Sequence, residues 1–414
     1  MSSSIFQYVL DIPSFLWETV INPEPTWMDL ATIIAATGTF WAIYFTLGAR
    51  IIRPLVANQN SPFHHFLVRA ATREYHAHGK QRWAETFRCP LTLEEFQDHF
   101  IEIWPWMNLM CTQHFVDGLL CLPAVANLFP NSPELASSLA CLAILSEAGW
   151  EIGDLLGSIY GRYFTKGGGQ KVPFPIIVIL AMHHSLGTGL GLPMVMYFRS
   201  SNLLHWLCFD LQMAGAIGLS IAEYTKLLDI SQPGQLLQFQ VLSFISLVVM
   251  VVTRGFHYYY LCLQVAATLV ANQEWALLVF AAIPFFAFTI FNTFIIIIPG
   301  YKRFVKFLKV SNNHNNLPND VTPEQKRNSL LELETAAVGL RQSRGFREEL
   351  LLAVLSDSPE GHTSRRASLP ARLSPRNSFL GGTIMYRLSM YDSSSQKQQA
   401  WASLVASLGS LKED

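Results

Sequence analysis

The sequence predicts an all-α polytopic membrane protein, with about seven transmembrane helices around a central cavity and a largely disordered C-terminal tail. Three observations carry this expectation. Half of the 414 residues are apolar and only 14% are charged, against roughly 25% charged in a soluble globular chain. The deficit is uneven, because apolar runs fill Trp27 to Tyr301 while charge collects in one loop and in the tail. Inside the runs, ionisable residues recur at helical spacing, which a bilayer tolerates where they face each other or a wet interior. A net charge of −1 offers nothing to a nucleic acid.

A helix needs about 20 mainly apolar residues to cross the bilayer core. The runs that qualify are Trp27–Ala49, Trp104–Phe129, Glu134–Tyr160, Phe174–Phe198, Asn202–Leu228, Leu237–Val270 and Glu274–Pro299. The third opens on Ser132 as a cap, Pro133 at the first helical position and Glu134 at the positive end of the helix dipole. The sixth is long enough to tilt or protrude. With no basic segment for a signal peptide at the N-terminus, the first span is expected to target the chain itself.

Orientation follows from Lys and Arg in short loops. The first connection carries Arg50, Arg53, Arg69, Arg73, Lys80, Arg82 and Arg88, the third carries Arg162, Lys166 and Lys171, and the segment after the last span carries Lys302, Arg303, Lys306 and Lys309. These alternate segments share one side, so the C-terminus is expected in the cytosol, with Arg199 the one dissent. The expected division is an extracytosolic segment over 1–26, a helical bundle over 27–301 and a cytosolic tail over 302–414. Within the tail, Thr322-Pro323-Glu324-Gln325 resembles a helix start with a capping box, and Phe346–Leu355 suggests one more short helix. Beyond Asp357 the chain is rich in Ser, Arg and Pro, with little to bury. Ser368, after Arg365-Arg366, and Ser374, before Pro375, fit kinase sites with a regulatory role. The six cysteines show no CxxC spacing and read as small buried hydrophobes.

The ionisable residues inside the runs are the informative ones. Glu147, Glu151 and Asp154 fall at i, i+4 and i+7, on one face of the third span. His114 and Asp117 lie one turn apart in the second, His183-His184 in the fourth, Asp210 and Glu223 in the fifth, and Arg254 and His257 in the sixth. Asp117 is a partner for His114, and Arg254 for one carboxylate. Mid-membrane carboxylates outnumber the one certain cation, which points to a polar central cavity where Glu151 or Asp154, His184, Asp210 and Arg254 converge. Adjacent histidines on a helix point about 100° apart, so the pair is no chelate, and neither metal nor cofactor is expected. Gly187 and Gly191 share the face of His184 and permit close approach of a backbone or a ligand. A second pair, His64-His65, is expected to be solvated.

Two of these stretches resemble the TLC family, the membrane domain shared by ceramide synthases and several lipid-handling proteins. One is Gly149-Trp150-Glu151-Ile152-Gly153-Asp154-Leu155-Leu156, similar to the family's Gly-aromatic stretch ending in Asp-Leu. The other is His183-His184, about thirty residues later. Arg254 and Glu223-Tyr224-Thr225 are weaker likenesses, and coverage runs roughly over 91–301. The resemblance implies helices around a lipid-accessible cavity, usually in the endoplasmic reticulum, and a sphingolipid or phospholipid partner. It also implies His183 and His184 as the catalytic pair if the chain is an N-acyltransferase using acyl-CoA. Where ceramide synthases follow the pair with an acidic signature, this chain reads Phe209-Asp210-Leu211-Gln212-Met213 and then Gly218-Leu219. The departure implies a divergent member that binds, senses or regulates membrane lipid, with Glu151, Asp154, Asp210, Arg254, Gly187 and Gly191 around the ligand. A transporter would use the same carboxylates, and a seven-helix receptor would share the topology. The elongase His-x-x-His-His box fails at Leu180, and the receptor Asp/Glu-Arg-Tyr and Asn-Pro-x-x-Tyr signatures are missing.

Overall fold

A computed structural model of the chain describes residues 17–22, 24–76, 92–164, 174–318 and 321–342. Its described residues are all helical in their regular structure. The uninterrupted long helices are α1 (Trp27–Ala57), α3 (Leu93–Val125), α4 (Pro133–Tyr163) and α6 (Asn202–Leu227), with a short α2 (Pro62–Glu74) between the first two. Three rods are interrupted by π-helical stretches. Helix α5 runs over Phe174–Ser185, widens at Leu186–Gly191 and resumes over Leu192–Phe198. Helix α7 runs over Pro233–Val251, widens at Val252–His257 and continues over Tyr258–Ala271. Helix α8 runs over Trp275–Ile290, widens at Phe291–Ile297 and continues over Ile298–Asn315. A last helix, α9, covers Pro323–Gln342.

A helix lies over each of the seven apolar runs. Five of them, α1, α4, α6, α7 and α8, are long and apolar enough to cross a membrane by length and composition. Helix α3 carries Gln113, His114 and Asp117 within its apolar run. The outer surface agrees with a lipid setting. Phe40, Ile43, Leu47, Ile51 and Leu55 make an exposed stripe along α1, and Val279, Phe280, Ile283 and Phe286 do the same on α8. Apolar patches of this extent are disfavoured in water and are what hydrocarbon accepts.

The centre is α4, flanked by α1, α3 and the widened part of α5, with α3 packed along α6. Its contact with α1 is close because both sides lack side chains: a Cβ on Gly149 would stand 2.6 Å from Ile34 O and 2.8 Å from Gly38 N. Around that crossing Trp41 Nε1 donates to Ser146 Oγ at 2.7 Å, and Phe45 stacks on Trp150 with centroids 4.3 Å apart. Thr26 and Asp29 close a reciprocal capping box at the start of α1. At the start of α4, Pro133 and Glu134 stand as the sequence suggests, but the Ser132 side chain makes no cap bond.

The polar loops are more tightly tied than their charge implies. Arg73 Nη2 donates to Leu227 O at 3.2 Å, a cation at the negative end of α6. Arg199, the exception to the loop-charge pattern, donates to Val20 O at 2.7 Å and to Ser138 Oγ at 3.2 Å, so its place is set by these bonds. His64 is half-buried, its Nδ1 2.9 Å from Val56 O, whereas the sequence suggested solvation; only His65 is exposed. Part of the segment read as a polar tail also belongs to the packed body. Thr322 and Gln325 form the expected box, and α9 buries Leu333, Ala336, Ala337 and Leu340 against Phe239, Phe304 and Phe307. The helix suggested over Phe346–Leu355, Cys89, Ser368 and Ser374 lie outside the described residues.

Candidate functional site

The site is built on α4. Its i, i+4, i+7 face turns Glu147, Glu151 and Asp154 inward, and all three are buried. Helix α5 brings His184 against the last two. His184 Nδ1 lies 3.4 Å from Glu151 Oε1 and Nε2 lies 3.3 Å from Asp154 Oδ2. A carboxyl at each ring nitrogen is fully satisfied when the ring donates from both as imidazolium, or when one carboxyl itself carries the proton. Either way the ring is fixed in place by two partners from another helix. Directly after the histidines the backbone widens, and Gly187 lies so close to α4 that a Cβ there would overlap the Glu151 carboxylate. A side chain at Gly191 would stand 2.9 Å from Ile144 Cγ2.

Beside this cluster a cleft opens. Its polar lining is His114, Glu147, Glu151, His183, Gln212 and Arg254, together with Gly187 and Gly191. Its walls are Ile144, Leu186, Leu190, Leu204, Leu207, Leu211 and Phe288, with Cys208. The cleft is narrow: the space open to the centre of a water-sized sphere is about 60 Å³, room for a few small groups such as a headgroup. His114 Nδ1 is 2.6 Å from Gln212 Oε1. Gln113 donates from Nε2 to both Asp117 Oδ2, at 2.8 Å, and Glu147 Oε2. The π-helical stretch of α7 turns Arg254 inward, where Nη2 donates to Leu211 O at 3.2 Å and the guanidinium sits 5.9 Å from the Phe288 centroid. π-Bulges are frequent at functional sites because they re-aim one or two side chains without ending the helix.

The structure sorts the residues that the sequence singled out. His184, Glu151 and Asp154 meet directly. Glu151, Arg254, Gly187 and Gly191 line the cleft, but the histidine that joins them is His183, packed beside Phe291 at 4.7 Å and Phe288 at 5.7 Å. His184 stands behind it, 4% exposed. Asp210 does not converge with the others: it pairs with His257, whose ring lies 5.5 Å from Trp206. The α6 register sends Gln212 and Leu211 to the cleft and Asp210 toward α7. Asp117 bonds Gln113 instead of His114, and Arg254 makes no ion pair among the described residues. Glu223 pairs with Lys226 at 2.7 Å. Gln113 and Gln212 escaped the sequence reading because an amide inside an apolar run is less costly than a charge and signals less. Among the described residues, no group of three or more His, Cys, Asp or Glu is arranged to hold a metal ion.

No protein-family model, curated protein or solved structure matches the chain.

Proposed function

We propose that this protein is a seven-span membrane protein, C-terminus in the cytosol, that binds a membrane lipid in the cleft between α4, α5, α6 and α7. The observation that carries this reading is the division of the cleft. Glu147, Glu151, His183 and Arg254 supply a polar part and Leu186, Leu190, Leu204, Leu207 and Phe288 an apolar one. An amphiphile satisfies both, placing its headgroup on the buried polar groups and its chain along the leucines. The resemblance of Gly149–Leu156 and His183-His184 to the TLC family supports the same class of ligand and a place in the endoplasmic reticulum. Protein extracted in mild detergent is expected to retain lipid in native mass spectrometry, and Cys208→Trp, which narrows the cleft, is expected to lower the retained fraction several-fold. Empty protein across several extraction conditions would sink the proposal.

A second reading has its own observation. His183 faces the cleft next to a histidine held by two carboxylates, an arrangement suited to general-base or nucleophilic work in acyl transfer from acyl-CoA. On that reading the parent protein consumes acyl-CoA in the presence of a long-chain amine, and His183→Ala lowers the rate by about 10²–10⁴-fold. A binding protein shows no such consumption.

A further inference from the structure

Two residues of opposite charge line the cleft without pairing with each other. Arg254 is 6% exposed, donates from Nη2 to Leu211 O, and has no hydrogen-bond partner at Nε. Glu151 is 5% exposed; Oε1 faces His184 Nδ1, while Oε2 has no partner. Glu147, one turn earlier on the same face, receives Gln113 and also borders the cleft. Buried groups of this kind are almost always matched in native proteins, so an unmatched donor and an unmatched acceptor at one cleft call for a partner that supplies both. Gly187 keeps the arrangement open, since any side chain there would displace the Glu151 carboxylate.

Charge narrows the class of partner. A bare anion on Arg254 would face the carboxylates of Glu147 and Glu151 in the same cleft, and a bare cation on those carboxylates would face Arg254. A group carrying both signs meets neither objection. A quaternary ammonium has no N–H to give to Glu151 Oε2, whereas a primary ammonium has three. On the lipid-binding reading above, on which this rests, we infer that the cleft recognises a zwitterionic headgroup: a primary ammonium at Glu147 and Glu151, a phosphate or carboxylate at Arg254, and an apolar chain on the leucine wall.

The test uses the full chain in a neutral detergent and compares retention of five amphiphiles of matched chain length by native mass spectrometry. These are phosphatidylethanolamine, phosphatidylcholine, phosphatidic acid, a long-chain primary amine and diacylglycerol, with soluble phosphoethanolamine as a competitor. Phosphatidylethanolamine is expected to lead phosphatidylcholine and phosphatidic acid by about tenfold, the worth of one charge-assisted hydrogen bond. Arg254→Gln should erase its lead over the long-chain amine and Arg254→Lys should restore part of it. The double change Glu147→Gln with Glu151→Gln should erase its lead over phosphatidic acid. A merely structural role would lower all five ligands together, and that result overturns the inference. Equal retention of diacylglycerol and phosphatidylethanolamine overturns it too, while leaving lipid binding intact. Retention of none of the five removes both readings. Competition by phosphoethanolamine at the lipid's own concentration would support the charge recognition and assign it to a soluble zwitterion; no competition assigns it to the lipid.

Discussion

Helices α4 and α6 differ from α7 and α8 in a way that inverts the rule for soluble proteins. The most apolar windows of α4 and α6 have hydropathies of only 1.3 and 1.2, yet 72% and 56% of their residues are buried; those of α7 and α8 reach 2.2 and are 22% and 28% buried. In water the apolar helices would be inside. Here they form the outside, and the helices with carboxylates, glycines and amides form the core. Hydrocarbon is as apolar as leucine, so burying leucine between helices gains little; close backbone approach and interhelical hydrogen bonds hold the centre instead.

The largest expected effect breaks the comparison on its apolar side. Ile283, 68% exposed on α8, should accept no charge if it faces lipid. Ile283→Lys is expected to raise the apparent insertion free energy of its segment by about 3 kcal/mol in a translocon-insertion assay. Normal insertion and stability would mean that this face is wet. Next comes the α1–α4 crossing. Gly149→Val drives a branched side chain into the α1 backbone and should cost about 2–3 kcal/mol in thermal unfolding of the purified protein. Gly153→Ala, one turn along the same helix with nothing within 4 Å of a Cβ, should leave stability unchanged or slightly raised. If both variants behave alike, the close crossing is wrong. The smallest effect sharpens the polar side. Asp154→Ala removes one of two partners of His184 and is expected to cost about 1 kcal/mol, since interhelical hydrogen bonds in membranes are worth about 0.6 kcal/mol on average and rarely exceed 1.7. Glu151 remains to hold the ring, so His184→Phe, which strands both carboxylates, should cost more.

Part of the site was legible because helical periodicity is a local property. Glu147, Glu151 and Asp154 share a face by spacing alone, and the glycines on the His184 face allow the close approach to α4 that Gly187 makes. The partnerships were not legible. Asp117 was assigned to His114 because they are one turn apart, yet His114 turns to Gln212 on α6 and Asp117 to Gln113. Asp210 was expected beside Arg254, but it faces His257, three residues away from the arginine. A π-helical stretch shifts the register of α7 at these residues, and no count of 3.6 residues per turn anticipates it.

The sequence by itself determined the class of protein, the positions of the apolar runs and the polar face of α4, because these follow from composition and period. It also determined the box that starts α9 and the charge that marks the loops. Only the tertiary structure decided which histidine of the pair meets the cleft, since adjacent side chains about 100° apart are distinguished by what packs around them. It decided too that α9 folds back on Phe304 and Phe307 of α8 and reaches Phe239 of α7, a docking that no local pattern encodes. And it left Arg254 beside the carboxylates without pairing it to one: the spacing of charges along a chain fixes their number, while the distances between them belong to the fold.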